Sequence, residues 1–236
     1  SSADGSKRLA IWSRSNGSNT IIQSSYSSDF GVTWAAPLNL SRTGRNAGDP
    51  QIAMSSDGDS ITAIWNQEQS GKMVIQARSS SDSGATWSTV KDLSQTGQSA
   101  WYPQIDGSSD GRKLTAVWNR FNGAHNIIQS RMSSDLGVTW SSTSNLSTLL
   151  QAADKQKVAV SDDGSKFAIG WRRSNGTNNI VQVRSGIHSS LPDSPTGLTA
   201  TPSAEAISVS FTAGDKDVFC TIPAKKTISP GFGIFF

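Results

Sequence analysis

An all-β fold, made of one antiparallel sheet repeated in series, is what this sequence predicts, and three observations predict it. Tryptophan stands at positions 12, 65, 118 and 171, a constant interval of 53 residues. Glycine keeps that interval at 5, 58, 111 and 164, glutamine at 23, 76, 129 and 182, and aspartate at 29, 82 and 135, without one insertion or deletion. Between these markers lie short alternations of β-branched and polar residues, separated by turn dipeptides. A period near 50 marks a repeat architecture whose units stack on their neighbours. The chain is therefore expected to be an incomplete β-propeller of about four four-stranded, 53-residue blades, the first and last partial.

The second unit shows why each segment becomes a strand. Residues 51–55, 61–66, 73–79 and 89–93 have strand length. Ile61-Thr62-Ala63-Ile64-Trp65 is β-branched and aromatic, which suits a pleated, half-buried surface. Asp57-Gly58 supplies the positive φ that a tight hairpin requires, and Asn16-Gly17, Asn122-Gly123 and Asn175-Gly176 do the same one connection later in the other units. The repeated Trp has two readings, filling the wedge between adjacent sheets or stacking on a sugar. Its identical place in every unit favours packing.

The turn after the third strand reads SSDFGVTW at 27–34, SSDSGATW at 80–87 and SSDLGVTW at 133–140. This S-x-D-x-G-x-T-W pattern, three times in one register, resembles the Asp-box of the sialidase-like (BNR repeat) β-propellers, and the resemblance covers residues 1–190. The chemistry of the motif is structural. Asp29, Asp82 and Asp135 can accept backbone N–H bonds within their own turns, Gly31, Gly84 and Gly137 take a conformation that a Cβ would penalise, and Trp34, Trp87 and Trp140 cover the hairpin. Calcium binding by the aspartates is the alternative.

The ends of the chain depart from the repeat. Ser1 corresponds to Met54 of the next unit, so the first blade is expected to have three strands, followed by two blades of four and a last of three. Residues 186–193 stand in place of a fourth Asp-box without its Asp, Gly or Trp. Residues 191–215 are rich in proline and then alternate, resembling the start of a fibronectin type III module. Residues 216–236 show no strand alternation and carry the single cysteine, Cys220, as a truncated or frameshifted reading would.

Composition narrows the function classes. One cysteine and two histidines, His125 and His188, make a disulfide framework or zinc site untenable, so neither a metal nor a cofactor is expected. A net charge of +3, spread along the chain, does not point to nucleic acid. No apolar run approaches the roughly 20 residues of a membrane span. With only two glutamates, Glu68 and Glu205, acid–base proposals are few.

In a propeller the loops between second and third strands, and those between blades, emerge on one face, with the Asp-boxes on the other. The first set contributes Arg14, Glu68, Arg120, His125, Arg172 and Arg173, the second Arg42, Arg45, Asp49, Trp101, Tyr102, Asp154 and Lys155. This cationic, partly aromatic face suits glycans. Arg14, Arg120, Arg172, Trp101 and Tyr102 are the candidate ligand contacts.

The resemblance implies more: a sialidase holds its substrate carboxylate with three arginines, which pair bidentately with it. It uses a tyrosine activated by a glutamate as nucleophile, with an aspartate as acid/base. Tyr102, Glu68 and Asp49 would take those roles here. Arg14 and Arg120 lie two residues after the repeated Trp, whereas Arg172 lies one after it. The uniform register, with no insertion to house an active site, favours a noncatalytic carbohydrate-binding or surface-interaction module over an exo-α-sialidase fragment, and the resemblance implies an extracellular location.

Overall fold

The computed structural model describes residues 1–188, and the backbone alone of 199–202, 206–213 and 216–223. Over the described residues the periodic segments become antiparallel sheets, joined in chain order. Blade 1 is β1 (Arg8–Ser15), β2 (Thr20–Ser27) and β3 (Leu38–Asn39). Blade 2 runs β4 (Ala47–Met54), β5 (Ile61–Gln69), β6 (Lys72–Ser80) and β7 (Lys91–Asp92). Blade 3 repeats it as β8 (Ala100–Gly107), β9 (Leu114–Phe121), β10 (Asn126–Ser133) and β11 (Ser144–Asn145). Blade 4 has β12 (Ala153–Val160), β13 (Lys166–Ser174) and β14 (Asn179–Ile187). The arc of three, four, four and three strands is an incomplete propeller. The fourth strands are shorter than expected, two residues each.

The repeated tryptophans fill the wedges between blades. Trp65 packs with Ile22 and Leu40 of blade 1, Trp118 with Ile64, Ile75 and Leu93 of blade 2, and Trp171 with Val117, Ile128 and Leu146 of blade 3. The first two are 0% exposed and the third 2%. A buried ring removes about 150–250 Å² from water, worth at most roughly 4–6 kcal/mol at about 25 cal/mol/Å². Trp12, with no blade before it among the described residues, is only half-buried.

Backbone bonds add to this packing near the axis. Ala3 donates to the Ser56 carbonyl, Ser56 to Ser109 and Ser109 to Asp162, each at 2.7 Å, linking four successive hairpins. The blades approach closely at the turns around Gly84 and Gly137. A Cβ on Gly84, whose φ is +92°, would lie 2.5 Å from Leu9 Cδ1 of blade 1.

The three turns have one geometry. Asp29 accepts from the Thr33 amide at 2.8 Å, the Thr33 hydroxyl at 2.5 Å and the Ser27 hydroxyl at 2.7 Å. Asp82 and Asp135 repeat this with Thr86 and Thr139, and Trp34, Trp87 and Trp140 each donate Nε1 to the carbonyl of Gly31, Gly84 or Gly137 at 3.1 Å. The carboxylates are thus engaged within their own turns.

The backbone of β15 (Thr199–Pro202), β16 (Ala206–Ala213) and β17 (Lys216–Pro223) forms a three-stranded antiparallel sheet. Lys216–Pro223 is therefore a strand where the sequence pattern promised none; its Val218, Phe219, Thr221 and Ile222 have strand propensity without strict alternation. Residues 189–198, 203–205, 214–215 and 224–236, and with them the rest of the expected fibronectin type III start and of the tail, lie outside the described residues. Among the described residues no helix is long and apolar enough to cross a membrane.

Candidate functional site: the loop-bearing face

The inner strands β4, β8 and β12 each carry a bulge near the loop-bearing, or top, end, between Gly48 and Gln51, Trp101 and Gln104, and Asp154 and Lys157. At the crest stand Asp49, Tyr102 and Lys155, in 53-residue register, with φ of 51°, 53° and 58°. None is glycine, so three side chains occupy a backbone region that costs energy outside glycine. All three residues are exposed. Tyr102 is 61% exposed, while its carbonyl accepts from Nε2 of Gln156 in the next blade.

Asp49 does not stand free. Its carboxylate accepts from Nδ2 of Asn66 at 2.7 Å. Glu68 is held by Asn46, which accepts the Glu68 amide at 2.7 Å and donates Nδ2 to its carboxylate at 3.3 Å. The Tyr102 hydroxyl has no hydrogen-bond partner among the described residues. The side chains named for nucleophile, base and acid are therefore not hydrogen-bonded to one another.

The arginines separate into two kinds. Arg172 donates Nε and Nη2 to the two oxygens of Asp154 at 2.7 and 2.5 Å. This side-on pair, which raises the Arg172 pKa, commits it to its own blade. Arg173, one residue on, stands in register with Arg14, Gln67 and Arg120. Gln67 shows where this row points: it accepts from the Arg42 amide at 3.1 Å and donates to the Arg42 carbonyl at 2.8 Å, pinning the loop that leaves blade 1.

Arg120 and Arg173 replace that amide with a guanidinium. Both are half-buried, and among the described residues neither buried Nε atom has a partner. Burial lowers the Arg120 pKa. Arg14 is exposed, with Nη1 3.5 Å from Gln23 Oε1. The missed member was legible in the repeat itself, since the interval that aligns the tryptophans also aligns Arg173 with Arg120. Trp101 is half-buried beside the bulge. His125 closes the β9–β10 turn, its amide donating to Asn122 Oδ1 at 2.8 Å. Among the described residues no three His, Cys, Asp or Glu side chains converge as metal ligands.

Solved structures of similar architecture place this arc. A Hadza microbial sialidase superposes with a TM-score of 0.55 at 13% identity, over 93% of this chain and 54% of its own. The chain has a sialidase-like propeller fold. A polysaccharide lyase of a new family, an ulvan lyase bound to GlcA(1-4)Rha3S, superposes with a TM-score of 0.52 at 11% identity, over 94% of this chain and 63% of its own. The chain thus spans between about half and two-thirds of these neighbours. At such identities the likeness is one of fold. No family model matches the sequence, and no curated protein does.

Proposed function

We propose that this chain is an extracellular, noncatalytic carbohydrate-binding propeller segment that takes acidic glycans on its top face. The observation that carries the reading is the pair Arg120 and Arg173, in equal register on successive blades, each with a buried Nε that lacks a partner among the described residues. A polar group desolvated without compensation costs about 1–3 kcal/mol, more when charged, and a ligand that satisfies it recovers that cost. Carboxylate and sulfate oxygens match the guanidinium fork. The exposed Tyr102 ring on the intervening rim adds a flat apolar surface for a sugar. That the ulvan lyase is bound to GlcA(1-4)Rha3S, a saccharide bearing acidic groups, agrees with this class of ligand.

The noncatalytic part of the reading is supported by the partners of Glu68 and Tyr102. Asn46 donates to the Glu68 carboxylate at 3.3 Å, and among the described residues no side chain is hydrogen-bonded to the Tyr102 hydroxyl. A glycosidase reading draws on the fold likeness to a sialidase, and one experiment separates the two. The chain is tested for binding on an array of uronate, sulfated, sialylated and neutral glycans, and for turnover of a fluorogenic sialic acid glycoside. An Arg120→Ala, Tyr102→Phe variant is run beside it. Binding without turnover, lost in the variant, is expected. Turnover abolished in the variant would assign a glycosidase, and a folded chain that binds no glycan would overturn the proposal.

A further inference from the structure

Three rows of residues in 53-residue register cross the top face, and each loses acid or gains cation from blade 2 to blade 4. The bulge crests carry Asp49, Tyr102 and Lys155, the second strands Gln67, Arg120 and Arg173, and the next position along those strands Glu68, Phe121 and Ser174. In these rows blade 2 offers two acids and no cation, whereas blade 4 offers two cations and no acid. The acid next to Lys155, Asp154, is already neutralised by Arg172. The loop before β4 carries Arg42 and Arg45, yet among the described residues neither Asp49 nor Glu68 is in an ion pair.

The crest row adds a second observation. Glycine would hold φ of 51°, 53° and 58° at no steric cost, yet each crest keeps a side chain, of three different chemical kinds and all exposed. An exposed side chain gains little from packing, so backbone strain retained for it points to contact with a ligand. The crests of β8 and β12 are fixed against each other, because Gln156 donates Nε2 to the Tyr102 carbonyl and Lys157 donates Nζ to Gln104 Oε1 at 3.1 Å. Sheets packed face to face lie about 10 Å apart. A ligand that meets the crests of three successive blades is therefore a chain of several sugar units.

We propose, resting on the glycan-binding reading above, that the top face takes an oligosaccharide in one direction and admits an anionic group at one end only. That group lies over blade 4, at Lys155 and Arg173. A sugar ring of the chain stacks on Tyr102 of blade 3. The unit that reaches blade 2 is uncharged or bears an amine, because Asp49 and Glu68 repel a second anion there. Asp49 is thus the residue that rejects chains acidic at every unit, and Lys155 the one that selects for a single acid.

The test titrates the full chain by calorimetry with a free uronic acid, with trisaccharides carrying one uronate at either end, and with a trisaccharide carrying a uronate on all three units. The better of the two singly acidic chains is expected to bind about tenfold more tightly than the monosaccharide and the triacidic chain. Lys155→Gly is expected to weaken binding of that singly acidic chain about tenfold, and Asp49→Gly to strengthen binding of the triacidic chain about tenfold. Glycine adopts positive φ freely, so both variants are expected to stay folded, which circular dichroism checks. A parent that binds these glycans but prefers the triacidic chain, or an Asp49→Gly variant with the parent's preference, would overturn the directional site and leave the glycan-binding reading standing. A folded parent that binds none of the probes would overturn both.

Discussion

Arg172 and Asp154 face each other across β12 and β13, with two nitrogens 2.7 and 2.5 Å from two carboxylate oxygens, and this contact sets Arg172 apart from Arg120 and Arg173, whose buried Nε atoms have no partner among the described residues. The side chains are 30% and 38% exposed, so the pair is a partly solvated bridge. Arg172→Ala is expected to lower stability by no more than about 1 kcal/mol, read by chemical denaturation, and to leave glycan affinity unchanged. Arg173→Ala is expected to leave stability nearly unchanged and weaken binding of an acidic glycan about tenfold or more, the worth of one charge-assisted bond. Equal losses of affinity from the two variants would remove the distinction.

The wedge tryptophans should differ by position even though their sequence context is the same. Trp65→Ala and Trp118→Ala empty sealed interfaces and are expected to cost about 3–5 kcal/mol. Trp12→Ala, at a half-buried site, should cost about 1–2 kcal/mol. Denaturation midpoints of the three variants check the order, and equal midpoints would show that the interblade packing has been misjudged.

Acid should weaken the fold through its turns. Asp4, Asp57, Asp110 and Asp163 recur in register, each accepting a hydroxyl hydrogen bond from Ser2, Ser55, Ser108 or Ser161 at 2.5–2.6 Å. The Ser2 hydroxyl and the Ser6 amide and hydroxyl hold Asp4 at about 2, and the Thr33 hydroxyl and amide, with the Ser27 hydroxyl, hold Asp29 at about 2. Both values lie below the ordinary 3.8, so the unfolded chain binds more protons in this window and stability rises with pH there. The melting temperature is expected to be flat above pH 4 as far as these groups are concerned, and to fall as pH drops from 3.8 through about 2. Asp29→Asn should flatten part of that fall.

Asp106 carries the opposite sign. It stands on β8 towards blade 4, where burial raises its pKa although the Val160 amide donates to it at 2.8 Å. Its charged form is therefore disfavoured in the fold, and its destabilising effect grows as pH rises above 3.8. Asp106→Asn keeps an acceptor for Val160 and removes the charge. Melting curves are expected to show the variant more stable at pH 7 and level with the parent near pH 3. A variant less stable at both pH values would mean that the carboxylate is stabilised by its surroundings.

The sequence by itself determined the repeat, the strand composition of each blade and the order of three, four, four and three strands, because hairpin turns and alternating patterns are local properties that survive without knowledge of packing. It also contained the alignment of Arg120 with Arg173, since register is arithmetic. What only the tertiary structure decided was which of these equivalent positions are equivalent in environment. Trp12 and Trp65 share a repeat position, yet among the described residues only Trp65 has a blade behind it. Arg172 and Arg173 are neighbours in the chain, yet one pairs with Asp154 while the other has a buried Nε with no partner among the described residues. Burial and pairing depend on what lies across the gap between sheets, and that neighbour is supplied by residues a full repeat away.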